Sequence, residues 1–263
     1  MKSTEVYTMI TGASMGLGKE MAMEFARRGK NLILIALQGH NLEQFCIELE
    51  YKFRIRAVFR ECDLTDEQAL TGLAGDIILN FSVDQLINNA GAGGTARFED
   101  ASPEYLDNII HLNIRATTML TRLLLPELRS HPKALILNVA SVAAFGALPY
   151  KTIYPASKAF IYSFSRGLSR ELHNTGVRVV VLAPGPFISN PDVMHRIMKQ
   201  GLFARLGVLP AREITKQAIS GAENGEEVIV PGVWNKFNRF LIRWVPEYFR
   251  LYMMAGILKK ELP

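Results

Sequence analysis

Cysteine is nearly absent from this chain: 263 residues hold two, Cys46 and Cys62. Two thiols make no disulfide framework, so a reducing, cytoplasmic setting is expected. Nowhere do about 18 apolar residues run uninterrupted, so no spanning helix is expected. Met1 to Met9 lacks the charged start and long apolar run of a signal peptide. The five histidines stand singly, and no spacing suggests a metal. Repeats, low-complexity tracts and Pro/Gly/Ser-rich linkers are missing too. With 49% hydrophobic residues the chain can fill one large core, and a single domain over 1–263 is expected.

Net charge is scarce outside one segment. The net charge is +5, and from Trp234 onward six basic residues (Lys236, Arg239, Arg243, Arg250, Lys259, Lys260) face only Glu247 and Glu261. That tail holds four of the five charges. The rest is close to neutral, which argues against a nucleic-acid-binding surface.

What is present alternates. Val6 to Ile10 is a short apolar run leading into Thr11-Gly12-Ala13-Ser14-Met15-Gly16-Leu17-Gly18, and a helical pattern through Met21 and Phe25 stops at Gly29. Strand, glycine-rich turn and helix together present backbone N–H groups and a positive helix end to a pyrophosphate. Gly12 allows the turn, Gly16 the approach of a phosphate, and Gly18 close helix–sheet packing. The spacing is GxxxGxG, and a ligand-free αβ turn is the other reading. Leu32 to Leu37 reads as a fully buried parallel strand. After it come Gln38, Gly39, His40 and Asn41. No acid stands there to select a free ribose 2′-hydroxyl, which leans toward NADP, and no arginine stands there for its 2′-phosphate.

A helix is expected over Leu42 to Tyr51 and a strand over Ile55 to Phe59, ending at Cys62-Asp63-Leu64. Asp63 suits an adenine amino group, or serves as a turn or cap residue ahead of Asp66, with Thr65 competing. A helix over Glu67 to Asn80 leads to a strand at Gln85 to Ile87, then Asn88-Asn89-Ala90-Gly91, which fit tight turns or a cofactor wall. Ser102-Pro103-Glu104 opens a long helical stretch. Asn113 is the one amide on its apolar face, either structural or holding a water. Ala134 to Val139 is a strand with Ser141 at its end. A helix over Tyr154 to Leu172 and a strand over Val177 to Leu182 follow, then Pro184-Gly185-Pro186-Phe187. This alternation gives an α/β fold, a parallel sheet covered on both faces. Gly12, Asp63, Asn89, Ser141 and Gly185 then gather on one edge.

Tyr154 and Lys158, in the run YPASK, fall one helical turn apart on one face. A tyrosine titrates near ~10, and lowering that by about three units takes roughly 4 kcal/mol. One charge at about 4 Å and an effective dielectric near 20 supplies that order of energy. The same spacing also marks solvated helix faces.

Taken together, TGASMGLG, NNAG, Ser141, Tyr154-x-x-x-Lys158 and Pro184-Gly185 resemble the short-chain dehydrogenase/reductase family over roughly residues 5–190. The resemblance implies a doubly wound Rossmann sheet of seven parallel strands, order 3-2-1-4-5-6-7, with the last near Glu227 to Val230. It implies that Tyr154 donates or accepts the proton, that Lys158 lowers its pKa and holds the nicotinamide ribose, and that Ser141 bonds the substrate oxygen. Asn113 would position a relay water. Gly12, Ser14, Met15, Gly16, Leu17, Gly18, Asp63, Leu64, Asn89, Ala90, Gly91, Pro184, Gly185 and Phe187, with Tyr154 and Lys158, would surround NADP(H) or NAD(H). The family also implies homodimers or homotetramers.

A substrate lid is expected over about 187–210, where Met194, Ile197, Met198, Leu202 and Phe203 form an apolar face for a hydrophobic carbonyl or alcohol, or for the core. In the tail 234–263, Trp234, Phe237, Leu241 and Trp244 recur at helical spacing before Pro246, and Tyr248 to Leu258 is a second apolar segment. Such a basic amphipathic tail lies on a membrane, at a subunit interface or over the active-site mouth, and packing against protein is the expectation. The expected activity is carbonyl reduction or alcohol oxidation. A 3-oxoacyl thioester reductase and a non-catalytic nucleotide sensor are the alternatives.

Overall fold

A computed structural model describes residues 5–188 and 206–262. The expected lid face from Met194 to Phe203 lies outside the described residues. Seven strands, β1 (Val6–Thr11), β2 (Asn31–Ala36), β3 (Ala57–Glu61), β4 (Ser82–Asn88), β5 (Ala134–Val139), β6 (Val177–Leu182) and β7 (Val228–Ile229), form one sheet. Their order is β3-β2-β1-β4-β5-β6-β7, and every pairing is parallel. This is the doubly wound arrangement that the family resemblance implies.

The continuous apolar strands are explained by their two covered faces. Leu32 and Leu34 of β2 enter a core with α1 (Gly16–Arg27), α2 (Leu42–Phe53) and α7 (Ala211–Glu223). Ile33 and Ile35 enter the opposite core with α3 (Glu67–Asn80) and α5 (Thr117–Arg129). Each such side chain, fully buried, contributes about 1.5–3 kcal/mol.

Several boundaries move for local reasons. β3 begins at Ala57 rather than Ile55, because α2 runs on to Phe53 and ends on Arg54 at φ +54. There the Glu50 carboxylate accepts the Ala57 N–H. β2 stops at Ala36, the last residue paired with β3, and leaves Leu37 half exposed. β4 starts at Ser82, earlier than expected, since its first residues pair with Val6 and Tyr7 despite the polar Asp84. The long helical stretch after Ser102 is divided: α4 (Pro103–Ile110) passes into one π-helical segment, His111–Ala116, before α5. The widened turn carries Asn113.

The sheet's centre also holds polar groups. Asn88 donates to Thr121 Oγ1 and Asn138 Oδ1, and Asn138 donates to Ser165 Oγ on α6 (Ile153–Glu171). These buried amides link α5, β4, β5 and α6 just below the edge where the candidate residues gather.

The tail forms α8 (Val233–Trp244) and α9 (Glu247–Leu258), broken at Pro246 as expected. Among the described residues no helix is long and apolar enough to cross a membrane.

A side chain at Gly18 would collide with the Gly12 carbonyl and the Asn89 amide. Gly18→Ala is therefore expected to destabilise the fold by about 1–3 kcal/mol, the usual range for overpacking. An unchanged urea midpoint would contradict this packing.

Candidate active site

The turn between β1 and α1 is held by the loop after β4. Thr11 Oγ1 accepts the N–H groups of Asn89 and Ala90, each at 3.0 Å. The Asn89 amide donates to the carbonyls of Thr11 (2.9 Å) and Gly12 (3.1 Å). Gly12 and Gly16 adopt φ +65 and +55, and a Cβ on Gly12 would come within 2.9 Å of Ala90 Cα. Met15, at the N-cap of α1, brings no side-chain acceptor. The first amides of that helix are thus left to an anion, and with Ser14 and Leu17 the turn fits a pyrophosphate. Asn89 reads as the tie that shapes this cradle, a duty its spacing did not reveal.

At the next strand ends, Asp63 Oδ1 accepts from the Thr65 N–H and hydroxyl at 2.9 and 2.7 Å. Asp66, not Asp63 or Thr65, caps α3 through the Ala69 N–H. Leu64 is buried in the core, so its side chain supports the edge from behind. The β2 loop does meet an acid, supplied by a neighbouring strand: Glu61 Oε1 accepts the Gly39 N–H at 3.2 Å.

Lys158 is 5% exposed, and its Nζ donates to the Val139 carbonyl at 2.9 Å. Burial pulls its pKa down from 10.5 to about 8. The ammonium lies 5.9 Å from the Tyr154 ring centroid, and a Cβ on Gly91 would sit 3.1 Å from both Lys158 Nζ and Asn113 Oδ1. Asn113 is almost fully buried. Its Oδ1 accepts from Ala92 N (2.8 Å), and its Nδ2 donates to Ala92 O and Ser157 Oγ, both at 2.9 Å. Its amide is a clamp that fixes the loop after Gly91 against α6. Ser141, two residues past the end of β5, caps a 3-10 turn, Val142–Phe145, by accepting the Ala143 N–H at 3.1 Å. That bond fixes the oxygen and uses only its acceptor side, so the O–H remains a donor.

Sequence reasoning missed several members. A Cβ on Gly93 would strike the Tyr154 ring, and one on Gly94 the Tyr105 hydroxyl, so the run Gly91-Ala92-Gly93-Gly94 was the overlooked signal. A narrow cleft of about 20 Å³ opens beside Tyr154, lined by Phe98, Tyr105, Leu106, Ile109 and Tyr150. Its floor is tied to the tail. Glu261, buried, pairs with Lys151 at 2.8 Å and accepts from Thr95 Oγ1 at 2.8 Å. Asn235 of α8 bonds the carbonyls of Gly207 and Pro231, and a Cβ on Gly185 would overlap it. Gly185 is thus the crossing point of the β6 loop and the tail. Pro184 is buried, its carbonyl accepting the Val142 N–H, and Phe187 packs on the core. Both cysteines are free, and burial first, then nearby carboxylates, push their pKa values up to about 12 for Cys46 and about 11 for Cys62. Neither is a thiolate nucleophile at neutral pH.

A family model described as short chain dehydrogenase matches residues 7–199. The chain is 33% identical over 187 residues to the 17-beta-hydroxysteroid dehydrogenase type 3 of Mus musculus, covering 70% of this chain and 61% of that protein. It is 32% identical over 186 residues to the very-long-chain 3-oxoacyl-CoA reductase-B of Danio rerio, covering 68% and 58%. The chain thus spans less than two thirds of these relatives' own length. Among solved structures, a short-chain dehydrogenase from Sphingobium yanoikuyae in complex with NADPH superposes with a TM-score of 0.78. It is 27% identical, over 92% of this chain and 97% of that one.

Removing Glu261 strands the Lys151 ammonium at the base of the cleft. Glu261→Ala is expected to cost about 3 kcal/mol, the lower end for breaking a buried pair, and to open the tail to trypsin. An unchanged urea midpoint with unchanged cleavage would contradict the tie.

Proposed function

The chain belongs to the short chain dehydrogenases, and on that premise we propose that it is an NAD(P)-dependent oxidoreductase interconverting a hydrophobic ketone or aldehyde with its alcohol. One observation carries the reading: a buried ammonium, Lys158, beside the ring of Tyr154. Burying a lysine is costly, and a non-catalytic nucleotide sensor gains nothing from the expense. Bound at this edge, a nicotinamide supplies or accepts a hydride at its C4. In reduction Tyr154 gives its hydroxyl proton to the oxygen of the substrate, on which negative charge grows. Ser141 donates to the same oxygen. The phenolate left on Tyr154 is stabilised by Lys158, which with a pKa of about 8 still carries its proton at neutrality in most molecules. In oxidation the proton returns along the same path. Asn113 holds the loop that seats Lys158 and Tyr154.

A hydrophobic substrate is supported by the aromatic cleft beside Tyr154 and by the steroid and very-long-chain acyl names of the relatives. The second of those names is what favours a 3-oxoacyl thioester as the alternative substrate. For the cofactor we propose NADP(H), since the β2 loop itself offers exposed Gln38, His40 and Asn41 and no acid. Glu61, whose carboxylate accepts the Gly39 N–H from the neighbouring strand, would repel a 2′-phosphate held at that loop. Self-association as a dimer or tetramer is proposed through α6, where Phe160 is exposed and stacks on Phe164.

Tyr154→Phe is expected to leave cofactor binding intact and to lower carbonyl-reduction turnover by at least ~100-fold. Unchanged turnover would remove Tyr154 from the mechanism. Glu61→Gln should raise affinity for NADPH relative to NADH by about fivefold, the effect of removing one like charge at partly screened range. An unaltered ratio in a fluorescence titration would mean that Glu61 does not face the 2′ position.

A further inference from the structure

The tail is tied to the body from its inner side through Asn235 and Glu261, and its outer side carries an exposed apolar surface. On α8, Phe237, Phe240 and Trp244 share one side of the helix and are exposed, Trp244 at 71%. Asn235, on the opposite side, is buried. On α9, Tyr248, Phe249 and Tyr252 turn outward, Tyr248 at 85% and Tyr252 at 75%, while Leu258 points into the protein. Six exposed aromatic side chains within sixteen residues far exceed the single exposed apolar residues normal on a monomer.

Charge is sorted between the two sides. Arg239 lies over the Phe145 ring at 4.8 Å. Arg250 donates to the Ile242 carbonyl at 3.0 Å. Arg239 thus holds α8 to the body, and Arg250 ties α9 to α8 beside Gly146. Glu261 is spent on Lys151. Outward stand Lys236, Lys259 and Lys260, with Glu247 as the exposed acid.

We infer that the outer face of α8 and α9 is a docking surface for an anionic lipid bilayer. Tryptophan and tyrosine, with apolar bodies and polar tips, suit the headgroup boundary, and lysines at its margin meet lipid phosphates. A second copy fits less well, because a two-fold pairing of this face would bring lysines against lysines with one glutamate per chain to offset them. The proposal departs from the expectation that packing against protein takes up the whole tail.

The test needs no substrate and so stands apart from the reaction. The full chain is sedimented with phosphatidylcholine vesicles, with and without phosphatidylserine as about a third of the lipid, a fraction chosen for a strongly negative surface. Binding to the anionic vesicles that falls with salt is expected. Trp244→Ser with Tyr248→Ser, or Lys259→Glu with Lys260→Glu, should weaken it at least about tenfold without moving the thermal midpoint. In a Trp234→Phe background, brominated lipid should quench Trp244. Absence of binding overturns the inference, as does binding without quenching, or self-association in gel filtration that the two serine substitutions abolish.

Discussion

The buried ammonium of Lys158 constrains everything around it. A charge taken out of water is tolerated only where a carbonyl meets it and the backbone can close in without a side chain in the way. Val139 supplies that carbonyl from the end of β5, and Gly91 supplies the space. The first requires α6 to lie against β5; the second requires the loop after β4 to run past Lys158. Strand order, loop course and helix position thus meet on one nitrogen atom.

The loop after β4 is where the two halves of the site are joined. At one end Asn89 and Ala90 fasten the glycine turn through Thr11. Further on Ala92 is gripped by Asn113, and Gly93 lies under the Tyr154 ring. The grip is possible because the helix widens to π geometry around Asn113. Such turns sit at functional sites more often than elsewhere. The tail adds a third fastening through Glu261, from a direction that no local pattern anticipates.

Strand and helix placement was legible wherever burial imposed a pattern. β5, β6 and α3 match expectation to the residue because their apolar patterns mark them, even though the cap of α3 was misplaced. β4 was read short because Asp84 breaks its apolar run, and the π segment was invisible because its apolar positions still recur at helical spacing. Tyr154, Lys158 and Ser141 could be named once the family resemblance was added to their type and spacing. Glu61 at the β2 loop, Glu261 beneath the cleft and Asn235 against Gly185 could not, since each acts through a contact between segments distant in sequence. A carboxylate far from every motif looks like any surface acid until the fold buries it.

The state of the Lys158 amine is the most direct measure of this arrangement. Side-chain 15N NMR of lysine-labelled, cofactor-free protein, with the signal assigned by its loss in Lys158→Met, would follow its titration. Desolvation predicts an inflection at about 8, far below the ordinary lysine value near ~10.4. An inflection at the ordinary value would mean a solvated amine. The tuned phenol proposed for Tyr154 would then have no physical basis.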